Sequence, residues 1–264
     1  MKVRILAIGD VVGKPGRSII VHRLGEYCRK ELVDCVIANG ENLAGGSGLM
    51  PSEADELFKA GVHVITGGDH IWGKKEIIPY IDRTPGLIRP ANYPAEQPGR
   101  GHVVIETASG AKVGVLHLQG RVFMNVPCED PFSAAKRIIQ ELRAKTNVIA
   151  VDMHCEATSE SQALGWYLDG RVSAVVGTHR HVQTADERVL PQGTAYITDL
   201  GMTGPTDSVI GVDKDAAVQR FISQMPNRFE PAKGPVALHG ALIRIDPDTG
   251  RGLSIERLRV PLPD

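Results

Sequence analysis

Cysteine is scarce in this chain. There are four, Cys28, Cys35, Cys128 and Cys155, in 264 residues, and no two form a CxxC pair. That excludes a disulfide-stapled scaffold and points to a reducing compartment, which we read as the cytoplasm. Aromatic residues make up only 5%, too few for an extended base-stacking platform. Neither sign of charge dominates: 30 Lys plus Arg stand against 31 Asp plus Glu, a net charge of -1. A broad nucleic-acid surface carried by a basic body is therefore excluded, while a local anion site is not. Long apolar runs are also missing. No stretch approaches the ~18 residues of a membrane span. The opening MKVRILAIGDVVGKPG has a charge and then an apolar run, but Gly9-Asp10 interrupts the run after Ile8, short of a signal-peptide core. No repeat, charge block or low-complexity linker stands out. What is present is ordinary globular material, 42% hydrophobic and 23% charged, in a chain long enough to bury a sizeable core unaided. We read residues 1–264 as a single domain.

Short apolar runs rich in β-branched residues alternate with helical patterns. Strands are expected at Val3 to Ile8, Cys35 to Ala38, Val62 to Thr66, Asn147 to Asp152, Val172 to Val176 and Ala195 to Thr198. Helices are expected from about Arg17 to Leu32, with Pro15-Gly16 as the lead-in turn, and from Ser52 to Ala60, with Ser52 as N-cap and Gly61 just past the end. Two more run from Pro131 to Lys145 and from Ser159 to Leu168. Val103 to Glu106 and Lys112 to His117 flank Ser109-Gly110 as a hairpin, and Val236 to Val260 reads as two antiparallel strands around Asp246 to Gly250. The fold class is α/β with mixed β-sheets, two of them packed together. Residues 84–101 form the loosest stretch and are expected to be a surface excursion.

The polar residues that break the pattern do so at one recurring place, the end of a strand. Gly9-Asp10 follows the first strand and Asn39-Gly40-Glu41-Asn42 the second. Gly67-Gly68-Asp69-His70 follows the third. Asp152-Met153-His154 and Gly177-Thr178-His179-Arg180-His181 follow two later ones. In open α/β sheets ligands sit outside the carboxyl ends of the strands. Parallel neighbours would therefore deliver all these groups to one edge. Carboxylates and imidazoles suit Mn, Fe or Zn without a thiolate. A carboxylate bridging two ions about 3.5–4 Å apart is an arrangement that activates water for in-line attack on phosphorus. Each piece alone has a plainer explanation: a strand-end Gly-Asp is commonly a turn, Glu41-Asn42 a cap, Asp69-His70 a surface pair, His154 a core histidine. Their shared topological position is what argues for a site, and His-x-His at 179 and 181 is its most specific fragment.

Other residues take the plain reading. His22, His63, His102 and His239 are structural by position, and His117 ends a strand from which it can approach the site. Cys155 is a small packing residue rather than a nucleophile. Gly9 to Lys14 lacks P-loop spacing. Lys74 and Lys75 lie on a solvated turn near Asp69-His70.

At these residues the sequence resembles the calcineurin-like metallophosphoesterase superfamily. More closely, it is similar to the bacterial YmdB-type family of 2′,3′-cyclic-nucleotide 2′-phosphodiesterases. The resemblance rests on IGDVVGKPGR, NGENLAGGSG, GGDHIWGKKEI, LIRPANYP, LQGRVFM, HCEATSE, ALGWYLDGRVSAVVGTHRHVQTAD and GTAYITDLGMTGPTDSVIG, which together span most of the chain. It implies a sandwich of mixed sheets flanked by helices, with a dinuclear site at the C-terminal ends of the strands. It implies one ion held by Asp10, Glu41, Asn42 and His181 and a second by Glu41, Asp69, His154 and His179, with Glu41 bridging. Asn42 takes the place of the histidine that many superfamily members carry two residues after the first Asp. The ions implied are divalent, iron or manganese, with zinc and magnesium as alternatives. His70 is implied to be the general acid, opening a 2′,3′-cyclic phosphate to a 3′-phosphate after attack by a metal-activated water. The chain departs from the family at Asp69, where Gly-Asn-His is the usual pattern.

The ligand set does not by itself separate a phosphodiesterase from a phosphomonoesterase, or either from a slow nucleotide-sensing regulator using the same site. The expected partner is a small cyclic nucleotide or other phosphodiester, in a homo-oligomer with no membrane association.

Overall fold

The computed structural model describes residues 2–227 and 229–262. The single-domain reading of 1–264 thus includes four positions, 1, 228, 263 and 264, outside the described residues. The chain runs β1 (Val3–Ile8), β2 (Asp10–Val11), α1 (Gly13–Glu31), β3 (Cys35–Asn39), α2 (Pro51–Lys59), β4 (Val64–Thr66), α3 (Ile78–Ile81), β5 (Leu87–Ile88), β6 (His102–Glu106) and β7 (Lys112–Gln119). It continues with α4 (Pro131–Arg143), β8 (Val148–His154), α5 (Thr158–Leu168), β9 (Ala174–Thr178), β10 (Arg188–Val189), β11 (Ala195–Ile197), β12 (Met202–Pro205), α6 (Lys214–Ser223), β13 (Val236–Ile245) and β14 (Gly252–Pro261).

Two mixed sheets result. The first has the order β2-β12-β13-β1-β3-β4-β5, with β14 paired to β13; the second has the order β10-β11-β9-β8-β7-β6. Within the first, β1, β3, β4 and β5 run parallel, and within the second β7, β8, β9 and β11 do. The side-chain period of a strand explains the layering. Ile5 and Ala7 of β1, Val115 of β7 and Ala150 of β8 share the core between the sheets. Leu6 and Ile8 face the other way, onto Ile19, Ile20 and Leu24 of α1. On the second sheet Ile149 and Val151 pack outward onto Ile138 and Leu142 of α4 and Leu164 of α5. Strands buried on both faces need continuous apolar runs, and this is why the sequence shows runs rather than alternation.

Several sequence expectations are corrected here. The long helix begins at Gly13, so Pro15 lies in its first turn, where a missing N–H costs nothing. The second begins at Pro51, not Ser52. The Glu53 carboxylate accepts from the Met50 N–H at 3.1 Å, so the N-cap position falls at Met50. The strand expected to end at Asp152 continues through His154. Residues 84–101 are a surface excursion only in part: Pro94, Ala95 and Glu96 are exposed, but Leu87, Ile88 and Asn92 are fully buried. The Asn92 side-chain amide donates to the carbonyls of Gln119 and Glu129, and Arg89 donates to those of Pro90, Pro94, Gln97 and Pro98. No helix among the described residues is long and apolar enough to cross a membrane.

Candidate metal centre

The parallel strands of both sheets end on the same side of the sandwich. β1 leads to Asp10, β3 to Glu41 and Asn42, β4 to Asp69 and His70, β8 ends in His154, and β9 leads to His179 and His181. The source is thus three strand ends of one sheet and two of the other, facing each other, rather than five neighbours in a row. The acidic and imidazole atoms fall into two groups, each within 4.8 Å: Glu41, Asp69, His154 and His179, and Asp10, Glu41 and His181. Glu41 belongs to both and is only 1% exposed. In the first group His154 Nε2 lies 3.0 Å from both Glu41 Oε2 and Asp69 Oδ1, and His179 Nδ1 lies 3.1 Å from His154 Nε2.

Each histidine is oriented by a bond to its other ring nitrogen, the usual support for a metal-ligating imidazole. Thr178 Oγ1 donates to Asp152 Oδ1 (2.7 Å) and so accepts from His154 Nδ1 (2.9 Å), which leaves the lone pair on Nε2 facing the cluster. His181 Nδ1 donates to the Ile210 carbonyl at 2.8 Å, leaving Nε2 for the second group. His179 reverses the pattern: its Nε2 pairs with Glu156 Oε2 at 3.2 Å and its Nδ1 faces inward. Both His179 (φ 104°) and His181 (φ 63°) hold left-handed backbone, a strain that persists only where neighbours enforce it. Arg180 supplies that enforcement. Its guanidinium donates to the carbonyls of Cys155, Glu156 and Thr198, and its Nε lies 3.2 Å from Asp199 Oδ2. The His179 N–H donates to Asp10 Oδ2 (3.1 Å), tying the two sheets together at the site.

Gly68 is required where it stands. Its φ is +55°, and a Cβ there would overlap the Glu41 carboxylate. Its N–H donates to His117 Nε2 (3.0 Å), while His117 Nδ1 lies 3.1 Å from Asp152 Oδ2. His117 therefore supports the turn that presents Asp69. Asp69 faces His154 and, at 3.6 Å, His179. His70 instead sits with Nδ1 3.1 Å from Asn42 Oδ1 and its backbone N–H donating to Glu41 Oε2 at 3.3 Å. Asn42 lies beside the second group, but with its Nδ2 toward Glu41 (3.0 Å) and His181 (3.1 Å). A ligand role requires the amide rotated by 180°, to present Oδ1 there.

The residues fit divalent ions. Asp10 Oδ1 is buried with no hydrogen-bond partner among the described residues, an acceptor facing a cluster of acceptors. Burial pushes the Asp10 carboxyl up, helped by the Glu41 charge, although His181 opposes it. Burial also pushes Glu41 up, but His154 and His70 outweigh it and hold Glu41 well below the usual range. For His154 burial favours the neutral ring, yet Glu41 and Asp69 raise it well above its ordinary value. Burial and the His154 charge hold His179 down. Carboxylates and imidazoles carry hard anionic and borderline donors suited to Mn, Fe or Zn.

Metal binding is therefore coupled to protonation. Without an ion the Glu41 and Asp69 charges favour the protonated His154 ring, and an ion at Nε2 must displace that proton. Metal uptake at pH 7 is expected to release at least one proton, so apparent affinity falls about tenfold per pH unit on acidification for each proton released. Calorimetric titration with Mn²⁺ in two buffers of different ionisation enthalpy measures this; identical heats in both buffers would contradict it.

The orienting residues were the part of the site hardest to read from sequence. Glu156 and Ile210 carry no strand-end signal. Thr178 and Asp152 stand beside the candidate ligands but point to them only once β8 and β9 are paired.

Comparison with known proteins identifies the family of the whole chain. A profile described as YmdB-like protein matches residues 6–258. A Bacillus subtilis (strain 168) protein named 2′,3′-cyclic-nucleotide 2′-phosphodiesterase is 48% identical over 258 residues, 98% of this chain and 97% of that protein. Among solved structures, a Thermus thermophilus protein described as hypothetical superposes with a TM-score of 0.92 at 39% identity, covering 99% of this chain and 100% of that one. A Mycoplasma pneumoniae protein described as a novel phosphatase does so with a TM-score of 0.91 at 34% identity, covering 99% and 94%. The chain belongs to the YmdB-like family.

Proposed function

We propose that this protein is a dinuclear metal-dependent phosphodiesterase that hydrolyses 2′,3′-cyclic nucleotides to 3′-phosphates. The observation that carries the reading is the pair of ligand groups sharing the buried Glu41, with His70 beside it lining the adjoining cavity. Asp10, Glu41, Asn42 and His181 would hold one ion, and Glu41, Asp69, His154 and His179 the other, with iron or manganese the best match and zinc or magnesium as alternatives. When bound, the ions would polarise the phosphoryl oxygens and activate the attacking water. His70 serves as the general acid. With the Asn42 amide rotated to present Oδ1 to the ion, its Nδ2 donates to His70 Nδ1, which places the ring proton on Nε2; the side chain is 43% exposed, so that Nε2–H is available to a leaving oxygen. Water oxygen joins phosphorus, the P–O2′ bond breaks, and His70 supplies the proton that O2′ takes up.

The test is reconstitution of metal-free protein separately with Mn, Fe(II), Zn and Mg, followed by assay on 2′,3′-cyclic AMP with identification of the product. The reading expects metal-dependent formation of adenosine 3′-phosphate. It also expects faster turnover of bis-p-nitrophenyl phosphate than of the monoester. The reverse preference would support a phosphomonoesterase, and tight nucleotide binding without turnover on any metal would support a sensor. We also read the protein as cytoplasmic and homo-oligomeric. Val218 and Ile222, one turn apart on α6, are both exposed, as is Met225 just past the helix end, which supports the latter reading; light scattering tests it.

Asp69 in place of the family Asn adds a negative charge beside the second ion. A carboxylate there holds the ion at least as well but makes it a weaker Lewis acid and repels a phosphodiester anion. Asp69→Asn is expected to keep two ions and to raise kcat/KM for a cyclic diester. A slower variant, or one that loses an ion, would show that the site is built around the carboxylate.

A further inference from the structure

The Val209–Val212 segment closes on itself. The Val209 N–H donates to the Val212 carbonyl and the Val212 N–H to the Val209 carbonyl, each at 3.0 Å, with Ile210 and Gly211 as the two central residues. Both have positive φ, 47° and 98°, as a type I′ hairpin turn demands. That turn favours Asn or Gly at its first central position. A β-branched residue in left-handed backbone is a genuine outlier. The bond from His181 to the Ile210 carbonyl does not require it, because every residue offers that carbonyl. Nor does the core, since Ile210 is 53% exposed. What the strain retains is the side chain, and strain of this kind gathers at ligand clamps.

The Ile210 side chain lines a cavity of about 430 Å³. One wall is apolar, made by Val209, Ile210, Val212, Phe221 and Phe229; the other is the ligand cluster, through Glu41, His179 and His181, with His70 beside it. The size is that of a small-molecule site. Two of the chain's five phenylalanines stand on this wall, both exposed. The polar side chains in reach are committed elsewhere, Arg180 to three carbonyls and Glu156 to His179.

We propose that this wall is a nucleobase subsite and that Ile210 is its specificity-determining residue. The inference rests on the cyclic-nucleotide reading above and extends it: the phosphate meets the ligand cluster while the base of the same nucleotide lies against Ile210, Phe221 and Phe229. Among the described residues the wall offers apolar and aromatic faces, with the Arg220 guanidinium lying 5.8 Å over the Phe229 ring, which suits stacking rather than readout of a base edge; the subsite therefore requires a base and tolerates any of the four.

The test compares metal-reconstituted wild type, Ile210→Asn and Phe221→Ala on 2′,3′-cyclic AMP, 2′,3′-cyclic UMP and glycerol 1,2-cyclic phosphate. The last has the same five-membered cyclic diester without a base. Direct titration with each compound reads binding irrespective of turnover. Wild type is expected to favour both nucleotides over the glycerol diester by on the order of 10–100-fold, the scale of one stacked base, and to separate the two nucleotides by far less. Ile210→Asn places a residue suited to the turn and is expected to keep the thermal midpoint while lowering the nucleotide-to-glycerol ratio roughly tenfold. Phe221→Ala is expected to lower it in the same direction. Equal wild-type efficiency on all three diesters would overturn the subsite while leaving the phosphodiesterase reading standing. So would a ratio unchanged in Ile210→Asn, or an oligomer that dissociates in that variant with the ratio intact, which would assign the wall to a second copy of the chain. If no diester is turned over, the phosphodiesterase reading fails and titration decides the subsite. Tighter binding of the nucleotides, weakened by Ile210→Asn, sustains it; equal binding overturns it.

Discussion

Glu41→Gln is expected to abolish both metal retention and turnover while leaving the fold in place. Glu41 is the only residue common to the two ligand groups, its Oε2 lies 3.0 Å from His154, and its Oε1 accepts from Asn42. An amide keeps the shape but offers a single neutral acceptor where the cluster uses two anionic oxygens. It also removes the charge that raises His154. Outer-shell partners of metal ligands typically cost ~10–100-fold when lost, and a shared ligand should exceed that scale. Elemental analysis with steady-state assay and circular dichroism checks the expectation. Full occupancy of two ions in a folded Glu41→Gln protein would refute the bridging role.

His70→Ala is expected to slow the opening of 2′,3′-cyclic AMP by ~10²–10⁴-fold, the usual contribution of a general acid. A ribose oxygen is a poor leaving group and needs its proton in the transition state. A p-nitrophenolate does not, so bis-p-nitrophenyl phosphate should lose far less. The assignment to acid rather than ligand follows from position. His70 stands outside both ligand groups, whereas the adjacent Asp69 lies inside one. Equal losses on the two substrates, or a missing ion, would sink it.

The contrast between neighbouring residues also shows what was legible in the sequence. Strand-end punctuation marked the five segments that carry Asp10, Glu41, Asp69, His154 and His179, because a ligand at a strand terminus must break an apolar run. It could not show that these strands belong to two facing sheets, since pairing between distant strands leaves no local pattern. Helix ends were displaced where Pro15 and Pro51 sit inside first turns, positions that tolerate the missing N–H. The buried stretch around Asn92 was misread because its backbone is satisfied by side chains at long sequence separation. Asp69 permits a pairing with His70 when only the sequence is considered. The turn at Gly68, held by His117, points Asp69 to His154 instead. Helix α6 carries no mark of function in the sequence; the turn before it ends one of the stretches that carry the family resemblance, but the significance of Ile210 emerges only from its φ and its cavity.

The central claim is that two ions lie on either side of Glu41. Anomalous diffraction from crystals grown with Mn²⁺ measures this most directly. The account predicts two peaks per chain, about 3.5–4 Å apart, one between Glu41, Asp69, His154 and His179 and the other between Asp10, Glu41 and His181. A single peak, or two peaks that do not share Glu41, would contradict it.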